Sequence, residues 1–132
     1  MYLRPIKFED AVSDPWFRPA DATCGWAQWK EMVREFAQGR YRAWRFHNGL
    51  EGLVIAKAEA GKLFVFYLTG RGFWGKREAV LDELRGISRS LGLSGVSGCC
   101  RDKTRVKFFA GAGMRHTTRK THGEQFYTLE CD

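Results

Sequence analysis

A chain of 132 residues has room for one domain with a real core and not for two, and 44% hydrophobic against 28% charged residues excludes a disordered chain. No apolar run approaches the roughly 20 residues of a membrane span, and Met1-Tyr2-Leu3-Arg4-Pro5 lacks the apolar centre of a secretion signal, so the expectation is a cytoplasmic protein with no membrane partner. The net charge of +7 suits an anionic partner, whether a nucleotide cofactor, nucleic acid or an acidic protein, without choosing among them.

Residues 2–7 predict a short first strand, and Phe8-Glu9-Asp10-Ala11 a helical turn. Asp14-Pro15-Trp16-Phe17-Arg18-Pro19 interrupts any helix, because each proline disfavours helical geometry in the residue before it. Two aromatic residues between prolines point to a loop packed on the body or lining a cleft. Trp26, Trp29, Val33 and Phe36, with Met32 beside them, have helical spacing and read first as a core face. Gly39 stands where that helix should stop. Asn48-Gly49 is the strongest two-residue hairpin signal, with strands expected over 41–47 and 50–57. Ala58-Glu59-Ala60-Gly61 predicts a second turn.

Residues 62–91 carry the most information. The apolar run Leu63-Phe64-Val65-Phe66-Tyr67-Leu68 predicts a strand buried on both faces. Thr69-Gly70-Arg71-Gly72-Phe73-Trp74-Gly75-Lys76-Arg77 then holds three glycines and three cations. A helix over 76–91 follows, with Val80, Leu84, Ile87 and Leu91 on one stripe. Such a loop aims backbone N–H groups and a positive helix end at one spot, as a phosphate or pyrophosphate requires. Beyond it come a strand over 93–100 and a helix over 101–112 with Val106, Phe109 and Ala110 facing inward. A final hairpin joins 114–121 to 125–130, and its last strand is expected at an exposed edge, where it could pair across a dimer. The oligomeric state stays open.

The predicted order is β-α-α-β-β-β-α-β-α-β-β, a mixed α+β (α/β) domain spanning 1–132 in which helices cover one mixed sheet of about seven strands on both faces. Cys24, Cys99, Cys100 and Cys131 match no zinc spacing, even with His116 and His122, so no metal is expected and the cysteines read as reduced, partly buried thiols.

This order, with its glycine loop after the fourth strand, resembles the GCN5-related N-acetyltransferase (GNAT) superfamily over essentially the whole chain. Leu3-Arg4-Pro5-Ile6-Lys7-Phe8-Glu9-Asp10-Ala11 looks like the opening strand and acidic turn of that family. Phe108-Phe109-Ala110-Gly111-Ala112-Gly113-Met114-Arg115 looks like its passage into the sixth strand, and Gln125-Phe126-Tyr127-Thr128-Leu129-Glu130 like its closing strand. The resemblance implies acetyl-CoA as cofactor, held by Phe66, Tyr67, Leu68, Arg71, Gly72, Gly75, Lys76 and Arg77. It implies transfer of an acetyl group to an amine of a protein or small molecule. Gly75 comes one residue later than in the family's loop pattern, and Lys76 or Arg77 fills the second small position. Phe108 and Phe109 stand where many members place an acidic tyrosine, and 63–68 holds no carboxylate. The remaining catalytic candidates are Tyr67 and Tyr127 as acids and Glu51 as base.

Catalysis is therefore reduced or lost on this reading, and the alternative is an inactive GNAT-fold binding or structural protein. That alternative resembles the GNAT-like proteins of bacteriophages, with other virion proteins as partners and the virion as location. A third reading, nucleic-acid binding, rests on Arg101, Lys103, Arg105, Lys107, Arg115, Arg119 and Lys120 near the C-terminus and stands behind the other two.

Overall fold

The computed structural model describes residues 1–21, 26–100, 103–121 and 124–132, with side-chain surroundings for all of these except 21, 99, 100, 103–105, 116–121 and 124–129. Its elements are β1 (Leu3–Ile6), α1 (Phe8–Val12), α2 (Trp26–Ala37), β2 (Arg42–Phe46), β3 (Glu51–Glu59), β4 (Lys62–Arg71), α3 (Arg77–Ser90), β5 (Val96–Cys100), α4 (Lys103–Gly111), β6 (Arg115–Thr121) and β7 (Glu124–Cys131). Short 3-10 turns at Pro19–Asp21 and Trp74–Lys76 lead toward α2 and into α3. This is the expected mixed α+β order. Among the described residues no helix is long and apolar enough to cross a membrane.

The strands form one sheet in the order β1-β2-β3-β4-β5-β7-β6. Neighbouring strands are antiparallel except β4 and β5, which are parallel because α3 carries the chain back across the sheet. The closing strand is not at an edge. β7 pairs with β5 through Val96↔Cys131 and with β6 through Arg115↔Glu130, so both of its sides are hydrogen-bonded and β6 is the edge. Alternation in a hairpin marks two strands but does not say which one the sheet accepts, so the edge position expected of the last strand is corrected.

Alternate residues of the central strands feed two cores. Trp44, Phe46, Val54, Ala56, Leu63 and Val65 meet Val80, Leu81 and Leu84 of α3 and Val106 and Phe108 of α4. On the other face, Ala43, Leu53, Ile55 and Tyr67 meet Ala11 of α1 and Trp29, Met32 and Phe36 of α2. Each fully buried Val, Leu, Ile, Phe or Met side chain among these contributes about 1.5–3 kcal/mol relative to exposure. Two expectations about these faces change. Trp26 is 62% exposed, with the Lys30 ammonium 5.7 Å from its ring, so the α2 stripe begins at Trp29. In α4 the buried ring is Phe108, while Phe109 and Ala110 are half-buried.

Asn48 and Gly49 have φ of 58° and 91°, the turn geometry that twists in step with the flanking strands. In the next hairpin the turn is Ala60 and Gly61 alone, because Ala58 and Glu59 still pair with Leu63 and Lys62. Within β4 one residue is inserted. Ile55 lies opposite Tyr67 but Ala56 opposite Val65, which leaves Phe66 as a bulge. The bulge reverses the alternation: Leu63 and Val65 face α3 and α4, Phe66 and Tyr67 face α2, and Leu68 returns to the α3 side.

Candidate functional site

The bulge marks the place where two strands part. Parallel pairing of β4 with β5 covers only Leu63↔Val96, Phe64↔Ser97 and Val65↔Gly98. Past Val65, β4 continues to Arg71 against β3 alone among the described strands, and β5 continues to Cys100 against β7. A parallel edge of β4 backbone is thus left without a strand beside it, directly before the glycine loop. Strand edges of this kind bind extended groups by main-chain hydrogen bonds.

The loop closes over the end of this edge. Gly70 has φ of 144° and lies opposite Gly52, whose φ is 141°. A Cβ on Gly70 would fall 1.9 Å from the Glu51 carbonyl oxygen and 2.6 Å from Cζ of Phe73, so only glycine lets the loop fold down. Phe73 is buried, with its ring centroid 4.4 Å from that of Phe46 and 6.2 Å from that of Phe108. Trp74 is 53% exposed and meets Phe108 edge-on at 5.5 Å. The turn Trp74–Lys76 then enters α3, whose first residues have no side-chain cap. Its first N–H groups therefore point outward at a positive helix end. A depression of about 580 Å³, lined by Tyr2, Trp74, Gly75, Lys76, Arg77, Glu78 and Ala79, opens beside them.

The residues expected to hold the cofactor spread around this region. Phe66 is half-buried against Tyr41. The Tyr67 hydroxyl donates to the Trp16 carbonyl at 2.6 Å and accepts from the Arg18 N–H at 3.3 Å, so it ties the proline loop to β4. Leu68 packs toward α3. Arg71 is exposed and bonded to Glu51 at 2.6 Å, directly across the hairpin, and also lies 5.9 Å from the Trp16 ring. Gly72 and Gly75 are exposed, and a side chain at Gly75 would meet nothing within 4 Å. Lys76 is exposed. The Arg77 guanidinium lies over Gly111, where a Cβ would come within 2.7 Å of its Cζ.

The structure brings Gly75, Lys76 and Arg77 together at the start of α3. Tyr67 and Glu51 have other partners, the proline-loop backbone and the Arg71 guanidinium. The side chain of Tyr127 lies outside the described residues.

Sequence reading missed three participants. Phe73 looked like a loop aromatic and is a core anchor. Gly111 reads in the sequence only as part of the passage into the sixth strand, and it is the floor beneath Arg77. The proline loop is fastened by buried Asp14, whose carboxylate accepts from the Trp16 N–H and from Nε of Arg45, both at 2.8 Å. In the sequence that clasp is marked by an Asp one residue before a proline.

Of the cysteines, Cys131 is a buried free thiol. Cys24, and the side chains of Cys99 and Cys100, lie outside the described residues, as do His122 and the side chain of His116. Among the described residues no group of three metal-ligating side chains converges. Of the basic C-terminal cluster, Lys107 is exposed and Arg115 pairs with Glu130 at 3.6 Å. Arg101 and the side chains of Lys103, Arg105, Arg119 and Lys120 lie outside the described residues.

No protein-family model matches the sequence, and no curated protein does. Solved structures do match. An IAA acetyltransferase from Bacillus cereus superposes with a TM-score of 0.66 at 10% identity, covering 97% of this chain and 96% of that one. An acetyltransferase from Bacillus subtilis, solved in complex with CoA, gives 0.66 at 10% identity over 99% and 97%. A mutant spermidine N-acetyltransferase from Vibrio cholerae gives 0.66 at 11% identity over 98% and 91%. At such identities the likeness shows the fold alone.

Proposed function

We propose that this chain, which has the fold of the GNAT acetyltransferases, is an acyl-CoA-dependent N-acetyltransferase acting on an amine of a protein or small molecule. The parting of β4 from β5 just before the uncapped start of α3 carries the reading. The residues present fit the cofactor at both of its ends. The β4 edge from Phe66 to Leu68 suits an extended amide chain, and the first N–H groups of α3, with Lys76 and Arg77, suit a pyrophosphate. When bound, the thioester supplies the activated acyl group. This chain's own contribution is to hold that group against the amine, since proximity alone supplies a large part of such a barrier. Phe108 has no proton to give a leaving thiolate, and the Glu51 carboxylate is engaged by Arg71. Turnover is therefore expected to lack the roughly 10²–10⁴-fold of matched acid and base.

Calorimetric titration with acetyl-CoA, followed by mass spectrometry of amine acceptors, tests the proposal. Saturable binding with slow transfer supports it, and no binding at about 1 mM, the affinity of a very weak ligand, sinks it.

A second reading is a GNAT-fold binding protein without catalysis. It is favoured by the rings of Phe73, Trp74 and Phe108 and by the Arg77 guanidinium over Gly111, which together span from the start of α3 to α4. Binding of acetyl-CoA with no transfer to any amine selects this reading. Recovery of the chain from purified bacteriophage particles would attach it to the virion role that the sequence resemblance suggests.

A further inference from the structure

At the far end of the sheet from the glycine loop, β1 stops at Ile6 while β2 runs one residue further, to Arg42. The last turns of α2 and α3 flank this step. Between them lies a groove of about 550 Å³, whose apolar lining includes Ile6, Phe8, Phe36, Trp44, Ile87 and Leu91. The lining contains one cation, Arg42, and no carboxylate. Lys7 sits between two lining residues, and neither it nor Arg42 has an ion-pair partner among the described residues.

The nearest carboxylate on α2, Glu35, is already shared by Arg40 at 3.3 Å and Lys57 at 3.8 Å. The helix ends are satisfied too. The Arg40 N–H donates to the Glu35 carbonyl, the Gly39 N–H to that of Phe36, and the Leu91 N–H and Ser90 hydroxyl to that of Ile87. Their carbonyls therefore ask for no donor-rich ligand.

We propose that this groove docks an acidic segment of a partner protein, one apolar side chain filling the floor and flanking carboxylates meeting Arg42 and Lys7. The charge of the rim selects the flanks, and the aromatic floor selects the anchor. The groove opens beside Arg42, about 14 Å along β2 from the Phe46 end that meets the glycine loop, so the occupant leaves the acyl-CoA region free. The proposal does not depend on that site being active.

The test uses capped peptides in which a single Phe, Trp or Leu is flanked on both sides by Asp and Glu, titrated into the full chain by fluorescence anisotropy at low salt. Saturable binding is expected. It should weaken at least tenfold when Asp and Glu become Asn and Gln, when the anchor becomes Ser, and in Arg42→Glu or Lys7→Glu protein. Both substituted sites are exposed and have no ion-pair partner among the described residues, and an unchanged melting temperature shows that the variants are folded. Lack of saturable binding below about 1 mM overturns the proposal, as does binding indifferent to Arg42→Glu. A single-stranded oligonucleotide that binds in an Arg42-dependent way also overturns it, in favour of nucleic acid.

Discussion

Gly52 and Gly70 face each other across the β3–β4 hairpin with nearly equal positive φ, and the Phe73 ring rests on the space that the missing side chain of Gly70 leaves. Gly70→Ala would drive a methyl group into the Glu51 carbonyl and the Phe73 ring, so it is expected to cost about 3 kcal/mol, the sum of backbone strain and overpacking. Urea denaturation measures it, and a loss below about 1 kcal/mol would mean that the loop relaxes freely. Tyr67 tests a different kind of contact. Its hydroxyl is held to the backbone of the proline loop, so Tyr67→Phe should lower stability by about 1–2 kcal/mol by leaving the Trp16 carbonyl short of a partner. If Tyr67→Phe instead left stability intact and abolished acyl transfer, the tyrosine would be an acid rather than a tether. The sequence announced Asn48-Gly49 without ambiguity, because its turn needs positive φ at both positions. It could not announce Gly70 in the same way, since a glycine that makes room for a ring looks identical to one that makes room for a phosphate.

At the scale of elements, helical spacing in α2 and α3 and the turn signals between β2, β3 and β4 were enough to set the order of the chain. What escaped was the bulge at Phe66. In Leu63-Phe64-Val65-Phe66-Tyr67-Leu68 every residue is apolar, so a reversal of the in–out alternation leaves no trace in the pattern. The candidate site depends on that reversal, because the bulge lies where β4 and β5 part. The place of β7 between β5 and β6 escaped for a similar reason, as long-range pairing has no local periodicity.

One tie that the fold makes at this scale is electrostatic. Lys62, at the start of β4, donates to the Asp132 carboxylate at 3.2 Å and to the Cys131 carbonyl at 3.2 Å, joining β4 to the end of β7 across β5. That hydrogen bond, then the charges of Lys62, Arg115 and Arg85, hold the Asp132 carboxyl below its ordinary value of 3.8. A depressed carboxyl stabilises the fold above its unfolded pKa and loses that contribution as pH falls through the folded value. The melting-temperature difference between wild type and Lys62→Met should therefore be constant above about pH 5 and shrink toward pH 3. It should also shrink in high salt, because the carboxylate is fully exposed. A difference that is flat across the whole pH range would assign the tie to the Cys131 carbonyl alone.

For the molecule as a whole, exposed cations stand at both ends of the sheet. Lys76 and Arg77 stand at the start of α3, and Lys7 and Arg42 stand at the other end of the sheet, none with an ion-pair partner among the described residues. Bulk charge pointed to an anionic partner, but only the sheet topology separates these cations into two sites with different floors. One floor is a strand edge and the N-terminus of α3, the other a cluster of aromatic and aliphatic side chains. If the two sites serve two ligands, their free energies must add. Lys76→Glu with Arg77→Glu should weaken acetyl-CoA at least tenfold and leave the acidic peptide unchanged, while Arg42→Glu should do the reverse. The combined variant should equal the sum of both within about 0.5 kcal/mol, as distant sites with no shared partners do. Calorimetry with each ligand, alone and in the presence of the other, closes the cycle. A coupling above about 1 kcal/mol would show that the sheet transmits one site's occupancy to the other, and the two ends would then have to be treated as one device.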